Sequence, residues 1–486
     1  MEVRKTLVII IFLCTGLLSG YSQSQWEIIR SIESEDLESF REKMVLLDNI
    51  NMILPNGYTI LNYAILTGRI ELVEYLLTKD VDVEQISNNQ TPLMFSARYN
   101  PDILQLLIAH GADINREVNG RSALTAALEE CNHNSIDILE AEGATVEMRG
   151  GADGPYFFYD TLMNVTRMIT VNDQNEIIVD TFKKPPTEIL VQTPFNVPFK
   201  VKLRKPVVER KSIFRKAEKI FAISDIEGNF FDFVLSLKNN QIIDENFNWT
   251  FGTGHLVLLG DFVDRGKYVT QVLWLIYKLE QEAEIAGGKV HYLLGNHEQM
   301  NLMDDFRFVD VRYKILAYKL GIEYHEFYTD LTEFGAWLRT KNVVEKIERS
   351  IFVHAGISDT LLSMNFSIPR INRIFREVFL TPQPRIDHDA YLVLFEYGVL
   401  WYRGFITEEK EYPKISQKSV EKILEAYNAD RFVVGHTIVR DISTDYKGKI
   451  IRLDVDHYRN IASGILINGD KIYKVMETGE KELLYE

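Results

Sequence analysis

The sequence predicts an α/β half, a sandwich of sheets covered by helices, preceded by an all-α repeat array. Three observations carry this. Five short apolar runs between residues 219 and 434 each lead into carboxylate, amide or imidazole side chains. Thr59, Thr91 and Ser122 open similar segments, 32 and 31 residues apart. Helical and strand-like patterns alternate after residue 219, as in a sheet with helices packed on it.

The chain opens with what reads as an export signal over residues 1–25. Arg4 and Lys5 precede an apolar stretch at residues 7–18, and Ser19, Gly20 and Ser22 offer small residues for cleavage. The stretch is shorter than the roughly 20 apolar residues a membrane-spanning helix needs. The expectation is an exported protein, periplasmic or secreted, with no stable membrane span after cleavage. Cys14 leaves with the signal, so Cys131 has no partner for an intrachain disulfide. The α/β half holds no cysteine, which excludes a thiolate nucleophile there. A net charge of −16 argues against nucleic acid as a main partner.

Residues 26–149 carry the repeats. Gly57-Tyr58-Thr59-Ile60-Leu61 aligns with Gln90-Thr91-Pro92-Leu93 and Arg121-Ser122-Ala123-Leu124. A second helical run follows each start, at 71–77, 103–110 and 135–142. This period and the T-P-L-like start resemble ankyrin repeats, with residues 26–54 as a divergent cap. Such arrays bury apolar faces only between neighbours and present a concave surface. The expected role is a binding module for a protein ligand that the sequence does not identify.

A glycine-rich break at 150–154 precedes a β-rich connecting segment, residues 150–215. In it, Asn172-Asp173-Gln174-Asn175 suggests a hairpin. The basic cluster at 200–219 reads as a solvated connection. The α/β domain is expected over 216–486. Residues 230–243 and 268–286 read as amphipathic helices. Segments 298–320, 334–339 and 368–379 read as helical insertions that roof the strand ends. Residues 450–455 and 462–475 read as closing strands.

The strand ends carry the chemistry. Residues 219–223 run into Ser224-Asp225-Ile226-Glu227-Gly228. Residues 256–259 run into Gly260-Asp261-Phe262-Val263-Asp264-Arg265-Gly266. Residues 292–294 run into Gly295-Asn296-His297-Glu298. Two later runs end at His354 and at Gly435-His436-Thr437. In open α/β sheets, ligands sit at the carboxyl ends of strands. Carboxylate, amide oxygen and imidazole together suit Mn, Fe or Zn.

In order and spacing these motifs resemble the calcineurin-like metallophosphatases, within them the serine/threonine protein phosphatase branch. That family reads GDxHG, GDxVDRG, GNHE, then two separate histidines, the second in GHT. The resemblance covers residues 219–456. One departure is plain: Glu227 stands where the family has a metal-binding histidine, and Ser224 where it has glycine. The resemblance implies two divalent metal ions (Mn, Fe or Zn) and a phosphorylated substrate, protein or small molecule. By the resemblance, Asp225 and Glu227 would bind one metal, Asp261 would bridge both, and Asn296, His354 and His436 would complete the second. A hydroxide held between the metals would attack phosphorus in line. By the same resemblance His297 would protonate the leaving oxygen, Asp264 would orient His297, and Arg265 would grip phosphate oxygens. Arg403, in Leu400-Trp401-Tyr402-Arg403-Gly404, is a second candidate clamp. A dinucleoside polyphosphate or phosphodiester hydrolase shares such metals, and a non-catalytic repeat-based binding protein is the remaining alternative.

Overall fold

In the computed structural model the described residues are 23–34, 37–45, 47, 49–380, 386–407, 413–456 and 462–485. The expected export signal lies outside them, apart from residues 23–25, which begin a helix, Gln23–Glu33. Among the described residues, no helix is long and apolar enough to cross a membrane. The chain divides into two compact units, with the division after Glu147.

The first unit consists of helix pairs, and the repeat signature has a mechanical reading. Thr59, Thr91 and Ser122 are N-caps: their side-chain oxygens accept from the backbone N–H groups of Asn62, Met94 and Thr125. Asn100 and Asn132 cap the second helices of two repeats in the same way. Neighbouring loops are tied in series, Asp82 N–H to Asn51 Oδ1 at 2.8 Å and Thr145 N–H to Asn115 Oδ1 at 2.9 Å. The array is therefore held by contacts between successive copies.

In the second unit the stretch expected as a connecting segment forms strands of the same compact body. They are β1 (Asp153–Asp160), β2 (Val165–Val171), β3 (Ile177–Phe182), β4 (Glu188–Val191), β5 (Phe199–Lys202) and β6 (Ile213–Phe214). β2 and β3 form the hairpin expected around Asn172–Asn175.

Eleven further strands follow: β7 (Ile220–Ile223), β8 (His255–Leu258), β9 (Lys289–Tyr292), β10 (Val344–Ile347), β11 (Ser350–Val353), β12 (Arg431–Val434), β13 (Ser443–Asp445), β14 (Ile450–Arg452), β15 (Ala462–Asn468), β16 (Lys471–Met476) and β17 (Lys481–Tyr485). Together with β6 they make two six-stranded sheets, ordered β17-β16-β15-β7-β8-β9 and β13-β14-β12-β11-β10-β6. Ile220, Ala222, Val257 and Ile465 of one sheet share an apolar cluster with Phe352, Val433 and Ile451 of the other. The two sheets thus pack face to face as a sandwich. In the first, β7, β8 and β9 are parallel; in the second, β11, β12 and β14 are parallel. Parallel strands end on one side, which gathers the polar residues that follow them.

The helix Val269–Ile285 departs from the amphipathic expectation. Residues 269–279 are buried all round. The reason lies in the 150–215 stretch, which covers the helix's outer side. Trp274 Nε1–H donates to the Pro155 carbonyl at 3.0 Å, and Tyr156 Oη meets Thr270 Oγ1 at 2.8 Å. Trp274→Ala is therefore expected to destabilise the second unit by about 3–5 kcal/mol, the range for truncating a buried aromatic. Denaturant unfolding followed by tyrosine fluorescence measures this; a change below about 1 kcal/mol contradicts the packing.

Candidate metal and phosphate site

Most of the functional side chains follow a strand end, and most of those arrive through an unusual backbone conformation. Asp225, Glu227, Asp261, Asp264, Arg265 and His436 all have φ between 48° and 69°. Non-glycine residues rarely adopt this left-handed region, and such residues cluster where a site over-determines them. In Asp225-Ile226-Glu227 the two left-handed residues flank Ile226, which is buried in the core. Asp225 and Glu227 on either side of it are each partly buried. Glycine is required where these turns approach one another. A Cβ on Gly295 would collide with the Asp261 carboxylate, and one on Gly435 with Ser224 and Asp225.

The centre is Asp261, 2% exposed. Its Oδ2 lies 3.2 Å from His354 Nε2 and 3.9 Å from His297 Nε2, and its Oδ1 accepts the His297 backbone N–H at 2.9 Å. Two groups of potential ligand atoms each lie within 4.8 Å of one another: Asp261, His354 and His436, and Glu227, Asp261 and His297. Asn296 Oδ1 is 2.9 Å from His354 Nε2. Asp225 Oδ2 accepts the backbone N–H of His436 at 3.2 Å and the hydroxyl of Ser224. This grouping differs from the expected one in two respects. Asp225 is bonded to the His436 strand end, and His297 stands beside Glu227 inside the carboxylate cluster. Glu227 also forms an ion pair with Arg265.

His297 Nδ1 is 2.7 Å from Asp264 Oδ2, and the other Asp264 oxygen accepts from Asn301 Nδ2 at 2.7 Å. Burial disfavours charge on His297, but Asp261 and Asp264 outweigh it and raise the imidazole above its ordinary range. Arg265 is exposed, with its guanidinium 5.1 Å from the Phe308 ring. Arg403 is partly buried and donates to the His436 carbonyl at 3.3 Å and to Thr437 Oγ1 at 3.5 Å. It is thus tied to the His436 strand end.

The electrostatics test whether this pocket suits metal ions. Both His354 nitrogens face acceptors, Nδ1 at 2.7 Å from the Leu259 carbonyl and Nε2 toward Asp261 and Asn296. Burial opposes its charge, yet Asp261 and Asp225 lift it to about 10. Burial works to raise Asp261, but His354 and His297 hold it far below the usual carboxylate range. Burial raises Asp225 to about 6, with Asp261 adding to the shift and His354 opposing it. Burial, reinforced by His354, pulls His436 well below its usual value. An imidazolium therefore acts as counter-charge to clustered carboxylates. Divalent cations would neutralise the same carboxylates and leave His354 Nε2 free as a donor, with Nδ1–H still fixed on Leu259. The mixed oxygen and imidazole donor set fits borderline divalent metals.

Three contributors escaped the sequence reading. Asp454, nearly buried, follows β14 by two residues and raises the charge density around Asp225. The pattern of an apolar strand ending in a carboxylate was present there too. Glu298 accepts the backbone N–H groups of Asp261, Phe262 and Gly295 at 2.7–2.9 Å, bracing two strand ends. Asn301 carries no sequence signal beyond its spacing, one helical turn after His297.

Comparison with known proteins gives a consistent result. A family described as calcineurin-like phosphoesterase matches residues 218–440. Ankyrin repeats match residues 56–85 and, in three copies, 79–149. The chain is 32% identical over 222 residues to Shewanella-like protein phosphatase 1 of Plasmodium berghei (strain Anka), covering 45% of this chain and 61% of that one. It is 35% identical over 127 residues to Shewanella-like protein phosphatase 2 of Arabidopsis thaliana, covering 26% and 30%. The chain therefore spans less than two thirds of the length of each. A solved structure described as a cold-active protein-tyrosine phosphatase of a psychrophile Shewanella sp. superposes with a TM-score of 0.61 at 30% identity. It covers 69% of this chain and 100% of that one.

The His297–Asp264 pair gives a direct test. Asp264→Asn removes a carboxylate that raises His297, so the imidazole's titration midpoint moves down. Nitrogen-15 NMR of the metal-free protein reads it; an unmoved midpoint contradicts the pairing.

Proposed function

Because this chain belongs to the calcineurin-like phosphoesterase family and carries ankyrin repeats, we propose that it hydrolyses phosphate monoesters on protein side chains. Two divalent metal ions, Mn, Fe or Zn, are held by Asp225, Glu227, Asp261, Asn296, His354 and His436. The observation that supports this best is the convergence of those six residues beside a hydrogen-bonded His297–Asp264–Asn301 chain. When bound, such a metal pair supplies Lewis acidity to phosphoryl oxygens and makes hydroxide available near neutral pH.

The chain's own residues do the rest. Arg265, paired at rest with Glu227, presents its remaining N–H groups to phosphate at the mouth of the site. Asp264 holds Nδ1 of His297, which leaves the proton on Nε2 facing Asp261 and the reacting group. His297 then gives that proton to the departing ester oxygen. Its raised pKa keeps it protonated above the ordinary histidine range, so turnover is lost as pH rises through that raised value. Arg403 fixes the carbonyl of His436 and the Thr437 hydroxyl, and so positions the strand end more directly than it grips phosphate.

The relatives are named as protein phosphatases, which supports a phosphoprotein substrate. The ankyrin array supports recruitment of a protein ligand. The composition of residues 1–25 supports export to the periplasm or outside.

His297→Ala tests the assignment. Turnover of alkyl phosphates is expected to fall by about 10²–10⁴-fold, the usual contribution of a general acid. Phosphates with strongly acidic leaving groups need no proton and should lose far less. Equal losses on both would remove His297 from the acid role. Glu227→Gln tests the departure from the family pattern. Elemental analysis after dialysis should show one metal lost and the other retained. Two tightly held metals with unchanged turnover would show that Glu227 binds none.

A further inference from the structure

We propose that Tyr268, Phe231 and Phe195 form an aromatic rim beside the Arg265 loop, and that this rim seats an apolar side chain flanking the phosphorylated residue of a phosphoprotein substrate. The inference rests on the phosphomonoesterase reading above and deepens it.

The rim is built on two loops that carry the site. Glu227 and Arg265, paired with each other, stand at its root. Beyond them the loops are stitched together. Gly266 N–H donates to the Glu227 carbonyl at 2.8 Å, and Tyr268 N–H to the Gly228 carbonyl at 3.3 Å. Tyr268 follows Arg265 by three residues, so their Cα atoms are no more than roughly 11 Å apart. Phe231 lies in the first turn of the helix Phe230–Asn239, whose N-cap Asn229 directly follows Gly228. Its ring meets Tyr268 edge-on at 5.5 Å. The third ring comes from the β-rich stretch. Phe195, in the turn between β4 and β5, packs edge-on against Phe231 at 4.9 Å. Thr193 holds that turn: its hydroxyl donates to the Val197 carbonyl at 2.9 Å and accepts the Phe195 N–H at 3.3 Å.

A single exposed phenylalanine is ordinary. Here Phe231 is 41% exposed and Phe195 38%, and half-buried Tyr268 adjoins them. Leu235, also exposed, extends the surface one helical turn beyond Phe231. Adjoining exposed apolar residues mark an interaction surface where scattered ones do not. Attachment to the Arg265 loop points to the substrate as the occupant. An extended peptide advances about 3.3 Å per residue. With its phosphate on Arg265, a residue about two to four positions away comes within reach of the rim. An apolar or aromatic side chain there gains burial and ring contacts, for which about tenfold in binding is a reasonable scale.

The test uses phosphoserine and phosphotyrosine peptides of otherwise alanine and serine sequence. One phenylalanine is moved in turn through positions two to four on either side of the phosphorylated residue. Native protein supplied with Mn²⁺ should favour one placement by about tenfold in kcat/KM, chiefly through KM. The double variant Phe195→Ala with Phe231→Ala should cut that preference below about twofold. It should hydrolyse 4-nitrophenyl phosphate as native protein does, since that ester has no flanking residue. Phe231→Leu, still apolar, should keep most of the preference. Native protein that hydrolyses 4-nitrophenyl phosphate but treats every placement alike overturns the inference and leaves the phosphatase reading intact. A preference that survives in the double variant also overturns it. So do equal losses on peptides and 4-nitrophenyl phosphate, which would mean that the rings only support the loops. Native protein that hydrolyses no phosphate ester overturns both readings together.

Discussion

Clustered negative charge at the ends of parallel strands is the constraint on which this protein depends. Asp225, Asp261, Asp264, Glu298 and Asp454 crowd one side of a sandwich whose interior is apolar. Burial of a carboxylate is expensive unless it is paired or hydrogen-bonded. The fold answers group by group. Glu298 takes three backbone N–H groups, Asp264 takes His297 and Asn301, and Asp261 faces His354. Six functional positions sit in left-handed backbone, at a cost of roughly 1–2 kcal/mol per residue. The large apolar cluster between the sheets offsets that strain. A rigid, strained set of ligands is what a metal centre needs, since the strain is met on folding and not on binding.

Much of this was legible before the structure. Strand ends were visible because short apolar runs and the polar residues after them are adjacent in sequence. The capping threonines and serine of the repeats were visible for the same reason. Contacts that depend on distant segments were not. Nothing near Val269–Ile285 announces that residues 153–160 cover its polar-looking side, so a buried helix read as amphipathic. Asp454 followed the strand-end pattern but lacked a flanking glycine to mark it. The pairing of Glu227 with Arg265 joins two motifs across different strands, and the sequence offered each a metal or phosphate partner only.

The departure at Glu227 has a physical consequence. An imidazole there would be neutral when bound to metal, whereas the carboxylate adds a negative charge beside Asp261. Arg265 supplies the balancing charge. Under the proposed function, a substrate phosphate on Arg265 would compete with Glu227 for the same guanidinium.

The central claim is that the carboxylate cluster is a metal centre which, without metal, is balanced by imidazolium. Calorimetric titration of metal-free protein with Mn²⁺ or Zn²⁺ near pH 8, in buffers of different ionisation enthalpy, tests it most directly. Because His354 is raised to about 10 by Asp261 and Asp225, it is protonated at that pH and must release its proton when Nε2 becomes a ligand. The account predicts saturable binding of two metal equivalents with net proton release, and loss of that release in His354→Ala. Absence of saturable binding, or binding with no proton release from the native protein, would contradict it.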